Sequence, residues 1–218
     1  LGTLVDAALA GRRQWKSVMD LAWEARVGDK LAYKALGRPT SIGALTKHAG
    51  GGFSVTDPER LLTILSVRRS LDPGRRTTLD GAQSLLSNLS EYAIGGTRAA
   101  AHHLGGMNTI AAHGPAIVYV PEAIEVDGLP DGDGAIVVMA DERALRSWPD
   151  GFTSKAQTYA DLFAQPGWQA SEFRRALWRE WFALDDWSLP DGSGEVTSKA
   201  STSTSTCRTS PNSEASYA

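Results

Sequence analysis

The stretch EYAIGGTRAAAHHLGGMNTIAAHGPAIVYVP, residues 91–121, combines glycine pairs, a run of alanines, three of the four histidines and an apolar segment. Thr97 is predicted to N-cap a helix over 98–104 that the following glycine pair ends. The alanines inside this helix let another backbone approach closely. Residues 117–120 are β-branched or aromatic and lie between prolines, which predicts a strand. The stretch is therefore expected to be a packing unit.

The residues after this stretch predict the rest of a small sheet covered by helices. The apolar run at 135–140 is expected to be a buried strand beside 117–120. Aromatic and apolar residues recur at helical spacing over 173–182, which predicts a final helix packed across the sheet. Residues 188–218 are rich in Ser and Thr and are expected to be disordered. The chain as a whole is predicted to be mixed α/β, of the α+β type.

The N-terminal third is predicted to be helical. Trp15, Val18, Met19, Ala22 and Trp23 fall at spacings of three and four, which indicates an amphipathic helix of about three turns. A second helix is expected over 30–36 with Gly37 as its C-cap, and residues 38–41 as a linker. A third is expected over 42–48, closed by the glycines at 50–52. Thr56 or Asp57 then N-caps a fourth helix, with Pro58 at its first position.

The charges divide unevenly along the chain. Residues 1–80 carry 13 Lys and Arg against 8 Asp and Glu, whereas residues 81–218 carry 9 against 17. A basic N-terminal part and an acidic C-terminal part suit a protein that contacts nucleic acid through the first and a different partner through the second. The alternative is an uneven surface charge without functional meaning.

Composition excludes several classes of protein. The apolar content is an ordinary 42% over 218 residues, enough for one large or two small domains. The longest apolar runs fall far short of the roughly 20 residues that cross a bilayer, so no membrane partner is expected. We expect no signal peptide and a cytoplasmic location. The single cysteine, Cys207, rules out a disulfide framework and a thiolate zinc site.

No catalytic, metal or cofactor site is predicted. His102 and His103 point in different directions on a helix and cannot easily share one ion, and neither has an acidic or thiol partner three or four residues on. Asp131 and Asp133 lie in a glycine-rich turn that lacks the other ligands of a calcium loop. There is no nucleophile elbow outside the tail, and no phosphate-binding or dinucleotide-binding glycine motif.

Residues 31–50, LAYKALGRPTSIGALTKHAG, resemble the opening of a bacterial winged helix-turn-helix. The order of later segments extends the likeness to about residue 182. These segments are DPERLL at 57–62, the arginine-rich 68–76, YAIGGTRAAA at 92–101, AIVYVP at 116–121 and SKAQTYADLF at 154–163. Together they resemble the winged-helix regulators related to AbiEi-type antitoxins of type IV toxin-antitoxin systems.

This resemblance implies a helical, winged-helix-like head over 1–55, a linker helix and basic wing or loop over 56–90, and a C-terminal α/β domain over 91–187. The pattern departs from the family after Gly52, where a recognition helix and a hairpin wing should follow. Two interpretations remain open. Either the helix after Asp57 is a shortened recognition helix, with Arg68 and Arg69 at its end and Arg75 and Arg76 on the wing, or the recognition element has been lost.

The expected function is that of a DNA-binding transcriptional regulator, antitoxin-like, which binds an operator and regulates its own operon. Its expected partners are duplex DNA and a cognate toxin protein. Clustered cations with nearby hydroxyls suit phosphate contacts. The predicted DNA-binding residues are Arg38, Thr40, Ser41, Lys47, Arg68, Arg69, Arg75 and Arg76. One alternative is a protein-interaction module that has lost its recognition helix, and another is an uncharacterised enzyme that uses the histidines between 102 and 113.

Overall fold

The computed structural model describes residues 1–106, 110, 112–148 and 150–183. In order, the elements are α1 Gly2–Leu9, β1 Gln14–Trp15, α2 Val18–Glu24, α3 Asp29–Ser41, β2 Leu45–Lys47, β3 Phe53–Val55, α4 Pro58–Ser66, β4 Arg75–Thr77, α5 Leu79–Leu86, β5 Ala93–Gly95, α6 Gly96–His103, β6 Ala116–Pro121, β7 Ala135–Ala140, α7 Glu142–Arg146, α8 Lys155–Ala164 and α9 Trp168–Phe182. The predicted mixed α/β class is confirmed.

The first sheet is antiparallel, in the order β1-β3-β2. Trp15 lies opposite Phe53 in this sheet, and their rings stack with centroids 5.4 Å apart. The helix predicted from Gln14 is therefore wrong in its first turn, because Trp15 belongs to a strand. The helix starts only at Val18, where the Ser17 side chain accepts a hydrogen bond from the Asp20 amide. Met19 and Trp23, expected on its apolar face, are exposed.

Two more N-terminal predictions are wrong. The second helix does not stop at Gly37 but continues as α3 to Ser41, because Ala32, Leu36 and Pro39 form one buried face along it. The expected third helix over 42–48 is instead strand β2, which forms a hairpin with β3. The glycines at 50–52 make the hairpin turn, where Gly51 and Gly52 have positive φ.

Helix α4 begins as predicted, with Asp57 as N-cap and Pro58 first. The Asp57 carboxylate accepts from the Arg60 amide at 2.9 Å. Leu61 and Leu62 are fully buried where α4 packs against α1 and α8. This helix is therefore part of the core.

The second sheet has the order β4-β7-β6-β5. Strands β6 and β7 are parallel, with Ile117 opposite Ile136, and the outer strands pair antiparallel to them. The two predicted core strands are thus confirmed as neighbours. The predicted N-cap at Thr97 is wrong, since Gly95 occupies that position and Thr97 lies in the first turn of α6. There the Thr97 amide donates to Gln165 at 3.1 Å.

One large core connects the N-terminal elements with the last helices. It contains Leu4 of α1, Phe53 of β3, Leu61 of α4 and Phe173 of α9. The carboxylate of Asp6 also accepts from the Ala156 amide at 2.8 Å, which fixes α1 to the start of α8. The final helix is confirmed with Phe173, Leu177 and Trp181 buried, but it packs against α6 and α8 rather than directly across the sheet.

Trp178, expected on the buried face of α9, is 37% exposed. The expected disordered tail lies outside the described residues. The proposed domain boundaries stay a prediction. Within the described residues, no helix is both long and apolar enough to span a bilayer.

Candidate nucleic-acid interface

The exposed face of α3 carries a row of cations. Lys30, Lys34 and Arg38 are spaced four residues apart, so their side chains project from the same side of the helix. All three are exposed, and none forms a salt bridge within the described part of the chain. Gly37 and Ser41 lie on the same face and are exposed too. We call these five residues the α3 face.

A short turn joins α2 to α3. It contains Arg26, whose φ of 52° is in the left-handed region that non-glycine residues rarely adopt. The Val27 amide donates to the Ala22 carbonyl at 2.9 Å and closes the end of α2. The turn brings α3 into contact with α2 while leaving the α3 face in solvent.

The β2–β3 hairpin follows α3 directly and adds a second exposed basic segment. Lys47 and His48 are exposed near its turn, and His48 Nε2 lies 2.6 Å from the Ser54 hydroxyl. Gly52 has a φ of 77°, and a Cβ there would collide with the carbonyl oxygens of Trp15 and Lys16. Glycine at this position therefore lets the hairpin lie close to β1.

Four of the predicted DNA-binding residues lie on α3 or on this hairpin. Arg38, Ser41 and Lys47 are exposed. Thr40 is half-buried, and its hydroxyl donates to the Leu36 carbonyl at 2.8 Å. The Ser41 hydroxyl donates to the Arg38 carbonyl at the same distance. Both hydroxyls are thus occupied within the helix, so the charged side chains are the stronger candidates for phosphate contacts.

The other predicted arginines lie elsewhere. Arg68 is exposed just after α4. One of the two interpretations left open placed Arg75 and Arg76 on a wing, but they belong to β4, an edge strand of the second sheet that pairs with β7. Arg75 pairs with Asp131 at 2.7 Å and also donates to the Leu129 carbonyl, and Arg76 lies 3.7 Å from Asp133. The acidic turn considered as a calcium loop instead contacts these two arginines.

Arg69 is part of a buried polar network. Its Nε donates to Asp161 at 2.9 Å, and its terminal nitrogen donates to the Tyr119 hydroxyl at 2.6 Å. Tyr119 and Gln157 also donate to the same carboxylate oxygen, at 2.5 and 2.9 Å. Asp161 is fully buried. A guanidinium paired with a buried carboxylate is a poorer candidate for phosphate contacts than an unpaired, exposed cation.

Burial controls the ionisation of this network. Burial raises the pKa of the Asp161 carboxyl, and Arg69 opposes that rise. Burial and the nearby Asp161 carboxylate also raise the pKa of Tyr119. The second oxygen of Asp161 has no hydrogen-bond partner among the described residues, and a Cβ on Gly95 would stand 2.6 Å from it. The network connects the segment after α4 and helix α8 to the sheet, because Arg69 follows α4, Gln157 and Asp161 lie on α8, and Tyr119 lies on β6.

The three histidines of the 91–121 stretch contact three different partners. His102 stacks on Phe152 with centroids 4.1 Å apart, and His113 stacks on Phe173 at 5.5 Å. His103 donates from Nε2 to the Thr153 carbonyl at 2.8 Å, and burial lowers its pKa. Within the described ranges, no three metal-binding side chains come together.

Sequence reasoning missed Lys30 and Lys34. Their spacing from Arg38 was visible in the sequence, but Gly37 and Pro39 suggested that the helix ended before Arg38. A search for cations spaced four residues apart that continued through Gly37 would have found Lys30, Lys34 and Arg38 together.

Comparison with protein-family models, curated proteins and solved structures finds no significant match. The assignment of function therefore depends on the geometry of the chain itself.

Proposed function

We propose that this protein binds duplex DNA through an N-terminal winged helix in which α3 enters the major groove and the β2–β3 hairpin is the wing. The order of the first six elements supports this, because a winged helix consists of a helix, a strand, a helix-turn-helix and a two-stranded wing. In helix-turn-helix proteins the second helix of the motif reads the bases. Here that helix is α3.

The observation that carries the proposal is the row of Lys30, Lys34 and Arg38 on the exposed side of α3. Cations without acidic partners can contact DNA phosphates at low cost, whereas paired cations must first give up a partner. Arg69, Arg75 and Arg76 each have such a partner. The proposed interface therefore includes Lys30, Lys34, Arg38 and Lys47, and leaves the three paired arginines out.

The charge around the head agrees with this interface. Residues 1–56 contain eight Lys and Arg against four Asp and Glu. Two of those acids are engaged internally, since Asp6 accepts from the Ala156 amide and Glu24 contacts Arg12 and the Trp15 indole. The Glu24–Arg12 pair removes one charge of each sign, so the head keeps its excess of positive charge, and a positive surface raises the rate of association with DNA.

The two earlier interpretations of the recognition element are replaced in this proposal. The helix after Asp57 packs one face against α1 and α8, and its exposed face carries Glu59, Arg60 and Thr63. The cation on that face, Arg60, is paired with Asp57, so this face is a poorer candidate for phosphate contacts than the α3 face. With α3 as the reading helix, the chain need not have lost a recognition element. The likeness to AbiEi-type antitoxin regulators suggests that the DNA is an operator of the protein's own operon and that a toxin protein is the partner of the C-terminal part.

Binding of a mixed-sequence DNA duplex over a salt series tests the interface. The logarithm of the affinity falls linearly with the logarithm of salt concentration, and each phosphate contact contributes a slope of about −0.9. Lys34→Ala and Lys30→Ala should each reduce the slope by about 1 and weaken binding to all sequences alike.

Arg76→Ala is the matched control, because it removes an exposed cation of the second sheet and should leave the slope unchanged. If Arg76→Ala reduced the slope while both lysine variants did not, the DNA would lie on the second sheet and the proposal would be wrong.

A further inference from the structure

A small open cavity of about 340 Å³ lies at the surface where α8 and α9 pack together. Its lining consists of Tyr159 of α8 and of Arg174, Arg175, Trp178 and Arg179 of α9. The four residues of α9 fall at spacings of three and four, so they project from one side of that helix. We call this cavity, with its five residues, the α9 cavity. Pockets for small ligands have volumes of about 300–1,000 Å³, so there is room for one small molecule.

The α9 cavity has an excess of positive charge. Arg175 forms a salt bridge with Glu172 at 2.6 Å. Arg174 and Arg179 form no salt bridge with any acid in the described part of the chain. Three guanidinium groups around one small volume repel one another, and a single paired acid leaves two of the positive charges without a partner. An anion inside the cavity would therefore be stabilised.

Two further acids lie near the cavity and do not neutralise these arginines. Glu180 follows Arg179 in the helix, but adjacent residues point about 100° apart, and the two form no salt bridge among the described residues. Burial raises the pKa of Tyr159, the charge of Arg174 opposes this rise, and the charge of Glu59 adds to it. Glu59 is thus near the α8 side of the cavity, but it forms no salt bridge with the arginines that line it.

Aromatic rings lie among these cations. Trp178 lines the cavity and is exposed, although helical spacing predicted it to be buried. The guanidinium of Arg174 lies 4.7 Å from the centroid of the exposed Phe163 ring, a cation–π contact that positions Arg174 without giving it an acid. The cavity therefore offers an indole for stacking next to hydrogen-bond donors for an anionic group.

We infer that the α9 cavity binds a small phosphate monoester attached to a planar ring, the class to which nucleoside monophosphates belong. The ring stacks on Trp178, and Arg174 and Arg179 donate hydrogen bonds to the phosphate. A phosphate monoester carries a charge of about −1.5 to −2 at neutral pH, which matches the two unpaired cations better than the single charge of a carboxylate. The planar donor fork of arginine also suits phosphate oxygens.

Isothermal titration calorimetry of the full chain, in a phosphate-free buffer without DNA, tests this site. The probes are adenosine 5′-monophosphate (AMP), adenosine and inorganic phosphate. AMP should bind with a dissociation constant below about 1 mM. It should bind at least about tenfold more tightly than adenosine or phosphate, because only AMP contacts both the indole and the arginines.

Substitutions test the two parts of the site separately. Trp178→Ala should weaken AMP binding at least about fivefold through the loss of stacking, and Trp178→Phe, which keeps a ring, should retain most of the affinity. Arg179→Gln should weaken AMP binding at least about tenfold through the loss of a charge-assisted hydrogen bond. Trp168→Ala and Arg68→Gln are the matched controls, because both residues are exposed and neither lines the cavity. They should leave the affinity unchanged, and far-UV circular dichroism should show the same helix content in every variant.

The inference is overturned if AMP does not bind below about 1 mM, or if it binds no more tightly than adenosine or phosphate. It is overturned equally if the control variants weaken AMP binding as much as Trp178→Ala and Arg179→Gln. If duplex DNA displaced AMP and Trp178→Ala reduced the salt slope of duplex binding, the cavity would contact DNA and the inference would be wrong. The AMP titrations contain no DNA, so failure of the DNA-binding proposal would not affect them.

Discussion

Gly37→Ala is expected to stabilise the free protein and weaken its binding to DNA. Gly37 is inside α3 and on its exposed face, and a Cβ there would meet no atom within 4 Å. Glycine in a helix interior costs about 0.5–1 kcal/mol relative to alanine, because it loses more backbone freedom on folding. Its replacement should therefore raise the free energy of unfolding by about that amount, with no clash in the protein to offset the gain.

The effect on DNA binding has the opposite sign if α3 lies in the major groove. Gly37 is flanked by Lys34 and Arg38 on the side proposed to face the bases, and the missing side chain lets the helix backbone approach the groove floor. Gly37→Ala, which adds a methyl group at this point, should lower the affinity for DNA by a small factor. Gly37→Leu should lower it at least about tenfold, which corresponds to about 1.4 kcal/mol of binding free energy.

Urea denaturation and DNA titration of the same preparations separate the two effects. Ser84→Leu, at an exposed position of α5, is the control for adding an exposed apolar side chain to a helix. It should change DNA affinity little. If both Gly37 variants bound DNA as well as the unchanged protein, the exposed side of α3 would not face the groove and the proposed docking would be refuted.

Other expected outcomes concern stability. Arg69→Met should lower the free energy of unfolding, measured by urea denaturation, by about 3–5 kcal/mol, because it leaves the Asp161 carboxylate buried without its cation. A loss of under about 1 kcal/mol would mean that the ion pair contributes little to stability. Burial lowers the pKa of His103 in the folded protein. The stability that His103 contributes is therefore complete above its ordinary pKa of about 6.5, and it is lost as the pH falls through its lower pKa in the folded state. His103→Gln should therefore flatten the fall in stability between neutral pH and about pH 5, and an unchanged slope would contradict this. Gly52→Ala should destabilise the fold by at least about 1 kcal/mol in a thermal melt, because it adds a Cβ at positive φ. An equal or higher melting temperature would show that the hairpin can shift freely.

The sequence predicted the two long apolar strands and the N-cap of α4, both of which have strong local signals. Residues 117–120 and 135–140 are continuous apolar runs, and the Asp57-Pro58 start of α4 depends only on adjacent residues. Such features need no knowledge of distant partners. The N-terminal sheet was missed because its strands are two or three residues long, too short to show a period.

Tertiary packing overrode two other local signals. Trp15 has helical spacing with Val18 and Trp23, but its stacking on Phe53 places it in a strand. Gly37 and Pro39 suggested the end of a helix, yet the buried Leu36 and Pro39 keep α3 intact through both. Glycine inside a helix costs about 1 kcal/mol relative to alanine. Burial of one large apolar side chain can stabilise the helix by more than this.

The proposed interface was predicted only in part from the sequence, for the same reason. Arg69 looked like a surface cation because Asp161, its partner, is 92 residues away in the chain. Arg75 and Arg76 likewise pair with residues more than fifty positions later. A cation that will be neutralised by a distant carboxylate looks the same in the sequence as one that will stay free to bind a phosphate.

Hydrogen exchange with and without duplex DNA tests the central claim most directly, because it locates the DNA on the protein. Slower exchange is expected over Asp29–Ser41 and over the hairpin formed by Leu45–Lys47 and Phe53–Val55, with no change in Arg75–Thr77. Protection confined to Arg75–Thr77, or no protection of α3 under conditions where DNA is bound, would contradict the assignment of α3 as the reading helix.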